Sequence, residues 1–237
     1  MGRFEDLLAV QEVDSRVDRL RHRLAGLPEQ AEQSKVQAEL DAVLARIADA
    51  DGRRDVVRRE QKRVEDEVAT VEARIAHVDG QLYGSGITSP KEAADLQADE
   101  DSLKRRQRDL EDLVIEQMEL AEPIDAELDA LATERTEVEA RLAQATDALQ
   151  AVAGEVTSEL EAALASRAAA VAAVPDDLMV TYEQRRKQLG GIAVARLVGN
   201  RCDGCHLAIP SAELEGLRRA PADEVVLCPE CTRMLVR

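Results

Sequence analysis

A heptad spacing of apolar residues runs through most of the chain and restricts the fold more than any other feature. In two long stretches the steps between seam positions alternate between four and three residues, a pattern that the first stretch sustains for more than six heptads. Most seam positions are apolar, and polar residues such as Arg54, Gln61 and Gln117 fill the others. The first stretch comprises Val36, Leu40, Val43, Ile47, Ala50, Val57, Val64, Val68, Val71, Ile75, Val78 and Leu82. The second comprises Leu103, Leu110, Val114, Ala121, Ile124, Leu128, Leu131, Val138, Leu142, Ala145, Leu149, Val152 and Val156. This spacing is typical of helices that pack along a coiled-coil seam, whereas a strand would require a period of two.

A short stretch with turn-forming residues, LYGSGITSPKE, separates the two heptad runs. Its two glycines can take the positive φ that ends a helix. Ser89 is predicted to cap the next helix, with Pro90 as its first residue and Glu92 completing a capping box. Because a short link makes consecutive helices antiparallel neighbours, we expect a long antiparallel coiled-coil hairpin over residues 1–175, with its tip at about residues 83–90.

Proline positions predict where the arms of the hairpin are interrupted. An earlier apolar stripe, from Leu7 to Leu27, has heptad spacing in a different phase from the run that starts at residue 36. The break between them falls at Pro28, which we expect to kink or interrupt the first arm. If the hairpin is symmetric about residue 86, Pro123 in the second arm lies opposite Ala50 and Gly52.

The charge of the chain and the length of its apolar runs exclude several classes of protein. The formal net charge is −17, and residues 182–237, with nine basic and seven acidic side chains, carry +2 of it, which leaves −19 on residues 1–181. An acidic body of this kind does not wrap around nucleic acid, because phosphate binding draws on Lys and Arg. The chain shows neither an apolar run of membrane-spanning length nor the start of a signal peptide, which predicts a cytoplasmic protein without a membrane partner.

All four cysteines lie near the end of the chain as two CxxC pairs, Cys202-x2-Cys205 and Cys228-x2-Cys231, with 22 residues between the pairs. Two residues between thiols let one tight turn aim both sulfurs at a single point, and two such turns complete the tetrahedron that Zn²⁺ prefers. Four thiolates leave no open coordination position, which predicts a structural Zn²⁺.

The segment around these cysteines is too small to fold on apolar burial alone. It spans some 48 residues without an aromatic side chain, and a structural zinc supplies about 10–16 kcal/mol to such a module. Apolar stretches before each pair are predicted to be short strands. We therefore expect a mainly α protein, in which a connector helix at residues 176–190 joins the hairpin to a small C-terminal β zinc ribbon at residues 191–237. The connector should let the ribbon swing.

Three other interpretations of the cysteines remain open from the sequence. Iron in a rubredoxin-like site uses the same spacing but normally sits among aromatic rings. A redox-active CxxC pair is expected in a strand–helix context of thioredoxin type. His206, directly after the first pair, is a candidate to replace one cysteine as a ligand.

The sequence resembles the bacterial C4-type zinc-ribbon, coiled-coil hairpin family, part of which was long catalogued as a domain of unknown function. The resemblance rests on the terminal CPECTRMLV, the four-cysteine frame and the tip LYGSGITSPKEAADLQADE. Thr232 stands where family ribbons usually carry glycine. The resemblance implies no enzyme activity. Some flagellated members are described as partners of an alternative sigma factor and as RNA-binding proteins that affect flagellar expression.

These observations favour a non-enzymatic adaptor, in which a coiled coil presents a structural zinc ribbon to a protein partner. The transcription machinery is one candidate for that partner. The candidate partner-binding residues at the hairpin tip are Tyr83, Ile87 and Lys91. The alternative is RNA or DNA binding through the ribbon, with Arg185, Arg186, Lys187, Arg196 and Arg201 as candidates. A third hypothesis is an architectural homo-oligomer that pairs through residual apolar stripes. No catalytic residues and no small-molecule substrate are expected, because a coiled coil lacks the concave pocket that an enzyme needs.

Overall fold

The computed structural model describes residues 3–84 and 89–237 of the chain. It forms two compact units, one from Met1–Glu32 with Thr146–Arg237 and the other from Gln33–Ala145. The elements in chain order are α1 (Arg3–Ala25), α2 (Pro28–Leu82), α3 (Pro90–Val171), α4 (Asp176–Gln188), β1 (Val194–Val198), β2 (Arg201–Cys202), α5 (Ser211–Arg219), β3 (Val226–Leu227) and β4 (Met234–Val236). The predicted fold class, a long helical hairpin with a small C-terminal strand element, is confirmed. No helix among the described residues is long and apolar enough to cross a bilayer.

Helix boundaries follow the capping signals of the sequence. α1 ends at Ala25 and α2 begins at Pro28, so the predicted interruption of the first arm is confirmed. A proline at the first helical position loses no hydrogen bond, because the N–H it lacks would have had no partner within the helix. At the start of α3 the hydroxyl of Ser89 accepts a hydrogen bond from the N–H of Lys91 at 3.3 Å, as expected of an N-cap.

The middle unit, residues 33–145, is an antiparallel hairpin with an apolar seam. Its core residues are Val36, Leu40, Val43, Ala50, Leu131 and Val138, with Ile47, Ile124, Leu128 and Leu142 packed against them. All of them belong to the two heptad runs. The hydrophobic period therefore determined which face of each helix is buried.

The register of this hairpin differs from the symmetric one predicted from the sequence. Three of the ion pairs across the seam join residues whose numbers add to 180, which centres that part of the hairpin near residue 90 and not 86. The pairs are Arg46 with Glu134, Arg53 with Glu127 and Arg141 with Glu39, at 2.9, 2.7 and 2.7 Å. Ala50 packs in the same cluster as Leu131, and the level of Pro123 is near residue 57, so the predicted position opposite Ala50 was wrong. A slip of about one heptad keeps both seams apolar, and the apolar pattern alone cannot distinguish the two registers.

The other unit packs the N-terminal helix, α4 and the ribbon around one core. Its sheet has the order β2-β1-β4-β3, in which β1 is parallel to β4 and the other neighbours are antiparallel. One side of the sheet shares a core with the helices, formed by Leu7, Leu8, Val10, Val174, Leu178, Tyr182, Ala193, Val194, Met234 and Val236. We expected the connector to let the ribbon swing. In the structure β1 and β4 instead bury their side chains against α1 and α4.

Candidate metal centre

The four cysteine sulfurs converge on one point between the two CxxC turns. All four lie within 4.8 Å of one another, and none is in a disulfide. The Sγ atoms of Cys202 and Cys231 are 3.9 Å apart, as are those of Cys205 and Cys228. A tetrahedron with Zn–S bonds of roughly 2.3 Å has sulfur–sulfur edges of about 3.8 Å. The cluster therefore has the size and ligand set that Zn²⁺ requires.

The same backbone turn aims the sulfurs in both CxxC pairs. The N–H of His206 donates to the carbonyl of Cys202, and the N–H of Thr232 donates to the carbonyl of Cys228, both at 2.8 Å. His206 and Thr232 have φ values of 61° and 59°, in the left-handed region. This conformation favours glycine, which has no Cβ, over residues such as His206 and Thr232.

Gly204, inside the first turn, is required by a close approach of other parts of the ribbon. A Cβ at this position would lie 2.9 Å from the Cβ of Ala195 and 2.6 Å from Cδ of Arg233. The Arg233 side chain can move, but Ala195 lies in β1 and is buried. The tight turn at Cys202–Cys205 therefore packs directly against the strand beside it.

Burial and hydrogen bonding act in opposite directions on these thiols. Burial raises the pKa of the Cys202 thiol and raises that of Cys228 to about 12, while backbone N–H groups of their own turns donate to both sulfurs and offset part of the shift. Burial also raises the pKa of Cys231, but hydrogen bonds from Arg233 and the neighbouring thiols outweigh it and lower that pKa to about 7. A bound divalent cation would hold all four as thiolates.

His206 lies outside the cluster of metal-binding side chains. Among the described residues the cluster consists of the four cysteines alone, and the His206 side chain is exposed. The ribbon also packs its own small core around the centre, from Ala195, Cys202, Ile209, Val226, Cys228 and Leu235. This core contains no aromatic ring of the kind expected around a rubredoxin-like iron site.

A buried glutamine on α1 holds the strand that leads into the centre. The Oε1 atom of Gln11 accepts hydrogen bonds from the N–H groups of Ala193 at 2.7 Å and Val194 at 3.3 Å. Its Nε2 atom donates to the carbonyl of Gly191 at 2.9 Å. One side chain thus satisfies three backbone groups at the start of β1, and it joins residues about 180 positions apart in the sequence. Sequence reasoning did not identify Gln11.

A second buried polar residue on the same face of α1, Asp14, joins three helices. Its carboxylate accepts from Nε of Arg167 at 2.6 Å and from the hydroxyl of Tyr182 at 2.7 Å, and Arg186 lies 3.5 Å away. Asp14 was also missed. The signal for it was its position, four residues after Val10 and three before Val17, which places a carboxylate on an apolar stripe.

The structure uses three of the five candidate nucleic-acid-binding residues for internal contacts. Arg185 donates to the carbonyl of Thr232, and Arg186 pairs with Asp18 at 2.5 Å. Arg196 forms a two-pronged contact with Glu5, at 3.1 and 3.0 Å. Lys187 and Arg201 are exposed and form no ion pair within the described part of the chain. The five side chains therefore do not form one continuous free basic surface.

Two of the three candidate residues at the hairpin tip are described by the structure. Tyr83 follows the last residue of α2 and has 79% of its surface exposed. Lys91, in the first turn of α3, is exposed as well. Ile87 lies outside the described residues.

Comparison with known proteins identifies both parts of the chain. Residues 10–190 match the CT398-like coiled coil hairpin domain, and residues 201–235 match a C4-type zinc ribbon domain. An uncharacterized protein of Mycobacterium tuberculosis is 35% identical over 98% of this chain and 94% of its own.

Two solved structures share the fold over nearly their whole length. A protein from Mycobacterium smegmatis superposes with a TM-score of 0.88 at 28% identity, covering 99% of this chain and 97% of that one. CT398 from Chlamydia trachomatis superposes with a TM-score of 0.69 at 19% identity, covering 98% and 96%. The hairpin match spans most of the sequence, and a C4-type ribbon follows it. The chain therefore belongs to the family of CT398-like coiled coil hairpin proteins that end in a C4-type zinc ribbon.

Proposed function

We propose that this protein is a non-enzymatic adaptor whose hairpin tip binds a protein partner and whose ribbon is held by a structural zinc. The observation that carries the proposal is the exposure of Tyr83. The chain has three aromatic residues. Phe4 and Tyr182 pack in or against the core of the unit that contains the ribbon, whereas Tyr83 projects at the end of α2. Exposed tyrosines are enriched in protein interfaces, because the ring buries a large area at low entropic cost.

The metal in this proposal has a structural role, with Cys202, Cys205, Cys228 and Cys231 as its ligands. Four thiolates complete a tetrahedral shell and leave no position for water or substrate. The backbone N–H groups that point at the sulfurs would stabilise the same shell. The metal would therefore stabilise the ribbon and the N-terminal half of α1, which packs on the ribbon.

Affinity capture with the full-length protein tests the adaptor role. Wild type, the double variant Tyr83→Ala/Lys91→Ala and the control Val180→Ala, at an exposed apolar residue of α4, are each used to capture proteins from nuclease-treated native lysate. We expect a stoichiometric partner with wild type and Val180→Ala that is lost with the tip variant. Equal recovery of the same proteins with all three baits would contradict the assignment of the hairpin tip as the partner-binding site.

Nucleic-acid binding through the ribbon is the second candidate function. It is supported by exposed cations that have no carboxylate partner among the described residues, namely Lys187, Arg201, Arg218 and Arg237. Arg218 and Arg237 donate only to backbone carbonyls. Such cations keep their charge available for phosphates.

A salt titration separates this function from the adaptor role. If labelled single-stranded RNA binds, the logarithm of its affinity should fall linearly with the logarithm of salt concentration. The variant Lys187→Ala/Arg201→Ala should reduce the magnitude of this slope by about two, because two fewer counterions are released on binding. Arg196→Ala, which removes a cation already paired with Glu5, should leave the slope nearly unchanged. Absence of RNA binding at low salt would reject this candidate.

A further inference from the structure

One face of the hairpin unit carries an apolar patch that its own core does not use. Ile115 and Met118 on α3 each have 53% of their surface exposed. They line a groove together with the carboxylates of Glu119, Glu122 and Asp129. Exposed apolar side chains that cluster within a charged rim mark interaction surfaces more often than single exposed residues do.

Basic residues of α2 flank this patch on the same side of the hairpin. Arg58 lines the groove beside Ile115 and also lines a neighbouring groove with Arg59 and Lys62. It bonds across the seam to Asp125 of α3 at 2.8 Å, which places both grooves on one side. We call this combined surface, residues 55–62 of α2 with residues 115–129 of α3, the paired face.

The two helices of the paired face have opposite charge at the same level of the hairpin. Residues 53–63 of α2 contain six basic and two acidic side chains, whereas residues 111–129 of α3 contain eight acidic and no basic side chains.

The hairpin's own contacts leave part of this charge unmatched. Arg59 donates only to the backbone carbonyl of Asp55. Within the described residues, Glu119, Glu122 and Asp129 enter no ion pair.

We propose that the paired face binds a second copy of this chain, forming a two-fold dimer of hairpins. A two-fold axis parallel to the hairpins lays α2 of one copy over α3 of its partner, at the same level and antiparallel. Arg59 and Lys62 of each copy then face the Glu119 and Glu122 positions of the other, and the Ile115 and Met118 patches are covered. The contact is isologous, as most homodimer interfaces are.

Charge complementarity selects this arrangement over the other face-to-face dimer. A two-fold axis across the hairpins would lay α2 over α2 and α3 over α3. That dimer would oppose the basic stretch to itself and the acidic stretch to itself, and like charges across an interface are strongly unfavourable. The same chain thus presents both complementary surfaces, and only the parallel axis joins them.

Charge-swap variants of the full-length protein test the proposal by sedimentation equilibrium. Wild type should sediment at twice the chain mass of 25.9 kDa. Arg59→Glu/Lys62→Glu and Glu119→Lys/Glu122→Lys should each be monomeric, because each leaves like charges opposed. An equimolar mixture of the two variants should recover the dimeric mass, since each supplies the charge that the other lacks. Glu155→Lys/Glu159→Lys, at exposed residues of α3 outside the paired face, makes the same change in net charge as Glu119→Lys/Glu122→Lys and should stay dimeric.

The orientation is tested by coupling carboxyls to amines in a mixture of isotopically heavy and light protein. The expected product joins Lys62 of one copy to Glu119 of the other, seen as a heavy–light peptide pair. A wild type that is monomeric at its highest soluble concentration would overturn the proposal, as would a dimer that both charge-swap variants retain. Ile115→Ser/Met118→Ser should also be monomeric, with the helical circular-dichroism signal of wild type.

Discussion

The hydroxyl of Tyr182 donates a hydrogen bond of 2.7 Å to Oδ2 of Asp14, joining α4 to α1 across 168 positions of the sequence. Both residues are almost fully buried. Arg167 of α3 donates to the other carboxylate oxygen at 2.6 Å. Three helices are therefore fixed to one another by a single buried carboxylate, beside the core on which the ribbon packs.

Removing either member of this contact should destabilise the unit by different amounts. Tyr182→Phe removes one hydrogen bond to a charged group and should lower the free energy of unfolding by about 1.5–3 kcal/mol. Asp14→Ala also removes the buried counter-charge of Arg167 and Arg186, which keep only the more exposed Glu183 and Asp18 as partners, and should cost about 3–5 kcal/mol. Denaturant unfolding, followed by circular dichroism, measures both. Equal losses in the two variants would show that the arginines gain nothing from Asp14.

The same contact predicts a loss of stability at alkaline pH. Burial and the hydrogen bond to Asp14 raise the pKa of Tyr182 well above its usual value. The folded state then favours the neutral phenol, so its contribution is complete below the unfolded pKa of about 10 and is lost as the pH rises above it. The melting temperature of wild type should therefore fall more steeply above about pH 10 than that of Tyr182→Phe. Parallel pH profiles would contradict this assignment.

Removing the metal should affect α1 as well as the ribbon. β1 and β4 share a core with Leu7, Leu8 and Val10 of α1, and a ribbon that loses its metal no longer presents a folded surface to them. On chelation we expect hydrogen exchange to rise in residues 3–25 and 191–237 and to stay unchanged in residues 36–80. The total helical signal should fall only slightly, because the hairpin keeps its own seam. Exchange confined to the ribbon would show that α1 is held by the helices alone.

The left-handed residue after the last cysteine offers a stabilising substitution. Thr232 has a φ of 59°, a conformation that costs an L-residue about 1–2 kcal/mol and is least favourable for a β-branched one. Thr232→Gly should raise the stability of the ribbon by about 1 kcal/mol and slow the release of zinc to a chelator. Thr232→Ala is the control, because it removes the branch but keeps a Cβ, and it should recover less. Faster release of zinc from Thr232→Gly than from wild type would show that the backbone at Thr232 is not strained.

The prediction that failed shows where the heptad pattern stops being informative. The heptad pattern identified which residues of α2 and α3 are buried, because burial depends on the face of each helix. It did not identify the register, since a slip of about one heptad buries the same positions. Contacts such as Arg53 with Glu127 distinguish the registers, and the sequence does not show which of many Arg–Glu pairs will form.

Gln11 and Asp14 were missed for a related reason. Polar residues on a heptad face are usually interpreted as exposed or as seam residues that set register. Their partners, the start of β1 and the side chains of Arg167 and Tyr182, come from the other end of the chain. Nothing local to α1 reveals them.

The sequence by itself determined the hairpin, its capped ends and the convergence of four thiols, because helix periodicity, capping and CxxC turns are local properties of a few adjacent residues. Only the tertiary structure decided the register of the two arms, the docking of the ribbon on α1 and the burial of Asp14. Those features depend on contacts between segments far apart in the chain. For such contacts many pairings are compatible with the local pattern, and the total packing and charge balance select one.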